Sequence, residues 1–205
     1  EAAAGFAAAR ARLEALAPGS VELAMVMDRQ GTLAGIQSQP DALERIEQAL
    51  VLMRRVGPRL GLRGNMAFNA HLIALQGRRF AAAETYARES LAVLSAVAPG
   101  SLPEAHARTG LADVLMRRTQ YDEAESLFRA ALAQSESIDA SSYETLSTRL
   151  QLGQTLAARG RTTDALAEFD AVIAAVAASA ADSPLRTTNL MLDAQSFRMP
   201  ALLDL

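Results

Sequence analysis

Two histidines, His71 and His106, are the only imidazoles in this sequence of 205 residues, and they lie 35 positions apart. No paired-carboxylate spacing surrounds either one, and cysteine is absent. A protein metal site needs several such ligands converging on one point. None is expected, and His71 reads instead as a partly buried packing residue. Without cysteine there is no thiolate nucleophile and no disulfide. All 20 basic residues are arginine, so no lysine can form a Schiff base, act as a desolvated amine base or hold a phosphate in a P-loop. No Ser–His–Asp layout occurs, and Gly57-Pro58 with Gly61-x-x-Gly64 reads as a turn rather than a phosphate cradle. Neither enzymatic activity nor a cofactor is expected.

The arginines repeat. Arg54-Arg55, Arg78-Arg79, Arg117-Arg118 and Arg159 with Arg161 recur once per period of the chain. The last three groups fall at helix ends, where cations complement the negative end of the dipole. Arg54-Arg55 is expected on a solvated face. As a set they would otherwise form a basic edge for an acidic partner. A net charge of −3 gives no attraction to nucleic acid, and basic-aromatic interleaving is missing. The longest apolar run, Ala171–Ala178, is far short of the roughly 18–20 residues that cross a bilayer. Membrane insertion of this segment is not expected.

Half of the residues are hydrophobic, only 4% are aromatic, and alanine fills 44 positions. Alanine and leucine are strong helix formers, and no β-branched run with period 2 appears, so the expected class is all-α. Arg78–Ala83, Thr119–Ala124 and Gly160–Ala165 align at offsets of 41 residues. Ala87, Phe128 and Phe169 keep that register, as do Leu91, Leu132 and Ile173. Ala42 and Ile46 extend it backwards, and Ala2 and Phe6 follow one residue closer. Pro18, Pro58 and Pro99 each stand 16 residues after Ala2, Ala42 and Ala83. Pro-Gly after a helical run stops it, and the serine that follows caps the next helix. Ser101-x-x-Glu104 and Ser141-x-x-Glu144 read as capping boxes.

This register predicts helices near 2–16, 21–37, 41–56, 61–76, 80–97, 103–118, 122–137, 142–158 and 163–180. A last helix is expected at 185–194, with an extended tail from Pro200. The chain divides into a half repeat (1–18), full repeats (20–58, 60–99, 101–140, 141–181) and a C-terminal capping segment (183–205). Glu1 opens inside a helical stretch without initiator methionine or signal-peptide layout, which points to a piece of a longer protein. The compartment is open, with the cytoplasm favoured.

Leu111-Ala112, Tyr121-Asp122-Glu123-Ala124, Phe128 and Ala131-Leu132 resemble the tetratricopeptide repeat family. Leu152-Gly153, Gly160, Ala165, Phe169 and Ile173 repeat the pattern. The period exceeds the usual 34 residues and is similar to the longer variant of kinesin light chains and bacterial regulators. The resemblance runs from about Ala2 to Ala181. In the first unit Gly31 and Gly35 replace the expected Leu-Gly pair, so a looser or kinked helix is expected there.

The resemblance implies a right-handed superhelical solenoid of antiparallel helix pairs, and a concave groove lined by first helices. By register the groove positions are Met27, then Asn65, Phe68, Asn69 and Leu72, then His106, Thr109, Asp113 and Met116, and finally Ser147, Leu150 and Gln154. This mixed set suits an amphipathic helix or extended peptide. Asn69 stands where a carboxylate-clamp asparagine would be, but lysine is absent and Gly110 replaces an arginine, so that mode is disfavoured. The expected role is a protein-interaction scaffold, the regulatory part of a larger bacterial signalling protein. The alternatives are an effector- or peptide-sensing domain controlling an attached kinase or transcription factor, or self-association through Thr187–Leu205. Capping of the last repeat is the default for that apolar segment.

Overall fold

The computed structural model describes residues 2–57, 61–180 and 183–203, and every regular element among them is helical. The expected stop at Pro58 lies outside them. The described chain falls into two compact units divided between Pro99 and Gly100, where the proline punctuation ends a repeat.

The first unit holds α1 (Ala2–Leu16), α2 (Val21–Ile36), α3 (Ala42–Val56), α4 (Gly61–Gln76) and α5 (Phe80–Val97). Helices α2 and α3 form one pair and α4 and α5 the next, with α1 packed on α2. In the second unit, α6 (Leu102–Arg117) pairs with α7 (Tyr121–Asp139) and α8 (Tyr143–Ala158) with α9 (Thr162–Ala178). A 3-10 turn at Pro184–Thr187 leads to α10 (Leu190–Leu203), which packs on α9 and touches α8.

Serines start the first helices as expected, with one shift. Ser20 Oγ accepts from Leu23 N at 3.1 Å and Ser101 Oγ from Glu104 N at 3.4 Å, while Glu104 takes Gly100 N at 2.8 Å. At α8 the cap is Ser142, whose Oγ accepts from Thr145 N at 3.1 Å. Ser141, the expected cap, instead bonds the Asp139 carboxylate through its amide and hydroxyl. The last helix also differs from expectation. Residues 184–187 close as a 3-10 turn capped by Ser183, and α10 runs through Pro200 instead of ending at 194. Leu190, Ala194 and Ala201 are buried along one side of it, and Phe197 stacks on Phe169 with ring centroids 6.2 Å apart. That packing compensates for the hydrogen bond proline cannot donate.

Each turn from a first to a second helix contains one left-handed residue: Ser38, Arg78, Thr119 or Gly160, with φ of 54°, 57°, 61° and 73°. The next amide reaches back five residues, as in Arg79 N to Ala74 O at 2.8 Å and Arg161 N to Leu156 O at 2.9 Å. This is the Schellman closure, and only one of the four turns uses glycine for it.

Gly31 and Gly35 do not loosen α2. A Cβ on Gly31 would overlap Ile46 Cγ1 and lie 2.9 Å from Ile46 N. Close approach to α3 requires a hydrogen there. Gly153 does the same for α8, since its Cβ would lie 2.5 Å from the Phe169 ring. Phe128 and Phe169 are fully buried, each contributing about 1.5–3 kcal/mol through burial.

Candidate functional site

In the first unit the candidate groove residues come from α2 and α4. Asn65 and Leu72 are exposed on α4, and Phe68 and Asn69 are half-buried between them. Met27 is buried on α2, so it offers little surface to a partner. The next residue, Asp28, is the α2 side chain that hydrogen-bonds to α4 among the described residues. Asn69 Nδ2 donates to both carboxylate oxygens of Asp28 at 3.3 Å. Asp28 is 5% exposed, and burial raises its pKa against the opposing effects of the Asn69 bond and Arg29. It was legible in sequence as the residue one period before Asn69. Phe68 meets His71 edge to face at 4.7 Å. Its carbonyl takes His71 Nδ1 at 2.6 Å; Nδ1 therefore carries the proton, and the buried Nε2 has no partner among the described residues.

In the second unit α6 and α8 supply the set. His106, Thr109 and Met116 on α6 and Ser147 and Gln154 on α8 are half-buried, whereas Asp113 and Leu150 are buried. Thr109 and Thr148 hydroxyls are 3.2 Å apart. Thr148 donates to Glu144 O, so Thr109 is the donor between the helices. Asp113 is engaged by Arg117 at 3.1 Å on its own helix. Met116 and Gln154 border a recess of about 290 Å³ whose far wall is Phe197, Pro200 and Ala201 of α10. His106 Nε2 is buried without a hydrogen-bond partner among the described residues.

The arginine groups differ from one another. Arg54, expected on a solvated face, donates to Glu89 of α5, with Nε to Oε1 at 3.0 Å. Arg159 and Arg161 close on Glu125 of α7, which also takes Arg129 and is 2% exposed. Glu125 thereby ties α7 to the α8–α9 turn. The recurring arginines stand out in the sequence; this carboxylate does not. Among the described residues no group of three or more His, Asp or Glu could hold a metal ion, and no helix is long and apolar enough to cross a membrane.

Residues 103–177 match the tetratricopeptide repeat family. The chain is also similar to solved structures across almost its whole length. A putative kinesin light chain of nearly identical TPR-like repeats from Podosopora anserina superposes with a TM-score of 0.72 at 15% identity, covering 95% of this chain and 87% of that one. BtubC (BKLC) from P. vanneervenii gives 0.76 at 15% identity, covering 99% and 86%. No curated protein matches the sequence.

Proposed function

Because residues 103–177 match the tetratricopeptide repeat family and the chain shares the fold of kinesin-light-chain-type repeats, we propose that it binds a peptide or helix of another protein on the faces of its first helices. The observation that carries the reading is the composition of those faces. On α4, apolar Phe68 and Leu72 alternate with Asn65 and Asn69, and all four keep accessible surface. An extended peptide presents side chains and backbone amides together, and a helix presents an amphipathic side-chain face; such a surface can meet either. On the resemblance alone, the reading extends to a regulatory segment of a larger bacterial signalling protein.

Photo-crosslinking residues placed at Asn65 and Leu72, with a control at exposed Val51 on α3, would test this in cells. Adducts at the first two sites and none at Val51 are expected. Equal labelling at all three would refute the assignment of the face.

A second reading, sensing of a small effector, is favoured by the recess that α10 closes beside Met116 and Gln154. An effector seated there would raise the melting temperature, and Phe197→Ala would remove the increment. A stabilisation unchanged in that variant would place the ligand elsewhere.

A further inference from the structure

The turn joining α4 to α5 carries charge that equivalent turns neutralise. At the α8–α9 turn, Arg159 and Arg161 are held by Asp122, Glu125 and Asp164. Arg117, ending α6, is held by Asp113. The side chains of Arg78 and Arg79 are exposed, and neither makes an ion pair or hydrogen bond among the described residues. Helix α5 offers no acid in its first turn, whereas α7 has Asp122 and Glu123 and α9 has Asp164. Asp41, next to the neighbouring α2–α3 turn, is taken by Arg45 at 2.7 Å.

Arg79 also lines a recess of about 450 Å³, within the size range of small-ligand sites. Leu43, Ile73 and Pro40 give it apolar walls, and Ser38 and Gln39 give it hydrogen-bonding groups. A guanidinium with no acid of its own, set over an apolar floor, matches a ligand with an anionic head and an apolar body. Arginine is the side chain suited to such heads, since its fork meets carboxylate or phosphate oxygens in pairs.

We propose that the recess between the α2–α3 and α4–α5 turns binds a small amphipathic anion, its carboxylate or phosphate head on Arg79 and its body on Leu43 and Ile73. Arg78 adds a second positive charge nearby without lining the recess. The proposal stands apart from the groove reading, because none of the candidate groove residues lines this recess.

Calorimetric titration of the whole chain with octanoate and with octyl phosphate tests it. Saturable one-to-one binding of at least one of them is expected, and the tighter of the two identifies the head. Arg79→Gln should weaken binding about tenfold or more, and Arg79→Lys less. Arg55→Gln, which removes another exposed guanidinium outside the recess, should bind as the parent does. Acetate, inorganic phosphate and octanol carry only one half of the ligand and should bind more weakly. No saturation at millimolar concentration overturns the proposal. So does equal binding by Arg79→Gln, or binding of acetate or phosphate as tight as that of the corresponding amphiphile. Because Arg79 is exposed, loss of folding is not at issue, and circular dichroism of each variant verifies it.

Discussion

Lowering the pH from 7 to 4 should destabilise the folded chain through His71, and the effect can be sized. His71 is 1% exposed, and burial lowers its pKa from 6.5 to about 4, although the bond to the Phe68 carbonyl works the other way. The folded state therefore holds a neutral imidazole where the unfolded chain would ionise. Its contribution to stability is complete above pH 6.5, falls as pH drops from 6.5 through about 4, and levels off below. At roughly 1.4 kcal/mol per pKa unit, the loss is about 3 kcal/mol. Paired carboxylates also titrate in acid, so the comparison must be with a variant lacking the imidazole. His71→Met conserves volume and should stay within about 1.5 kcal/mol of the parent at pH 7. Urea denaturation of both chains at half-unit steps between pH 7 and 4 gives the difference. The parent should lose about 3 kcal/mol relative to His71→Met over that window. Parallel curves would mean that His71 is protonated in place or already solvated, and would sink the buried-neutral assignment.

Asp28 should respond in the opposite direction. With its folded pKa raised by burial, the stability it contributes is present below 3.8 and is lost as pH rises through the raised value. Asp28→Asn should therefore be the more stable chain at pH 7 and the two should converge in acid, as read by melting temperature; a less stable variant at pH 7 would contradict this. Glu125→Ala should cost about 2 kcal/mol in urea denaturation, less than for a fully enclosed ion pair because its arginine partners are 30–50% exposed and can rehydrate. A loss below about 0.5 kcal/mol would reduce the network to an ordinary surface pair. Thr119→Gly should raise stability by about 0.5–1 kcal/mol, because a β-branched residue at φ 61° is strained; a decrease would show that the threonine side chain compensates locally.

The register made the helix pairs legible before any coordinates, because 41-residue spacing fixes which faces must meet. Its limits were local. Ser141 and Ser142 are adjacent serines of equal capping propensity, and only the competing Asp139 carboxylate selects Ser142. Pro200 read as the start of an extended tail because propensity is local, whereas burial of Ala194 and Ala201 against the preceding repeat is not. In the candidate site the groove set included Asn69 and passed over Asp28, although Asp28 stands one period before it, since a carboxylate on a helix ordinarily faces water. Gly31 read as a weakness because its helical cost is visible in sequence, while the backbone of Ile46 that demands it is not.

The pairs that cross at Gly31 and Gly153 share a slot with two others. Gly31 faces Ile46 and Gly153 faces Phe169. At the corresponding register Ala112 precedes Phe128, but His71 precedes Ala87, and all four are buried. The fold thus constrains the combined size of two positions rather than either one. Inheritance through such a slot works as a ratchet. Enlarging Ala87 first would need room that a fully buried position lacks, and shrinking His71 first would open a void, so neither single step leads back to the neighbouring arrangement without passing through a poorer protein. The fourth helix and its partner are therefore bound to change together, and a repeat copied from elsewhere in the chain could replace them only as a complete pair.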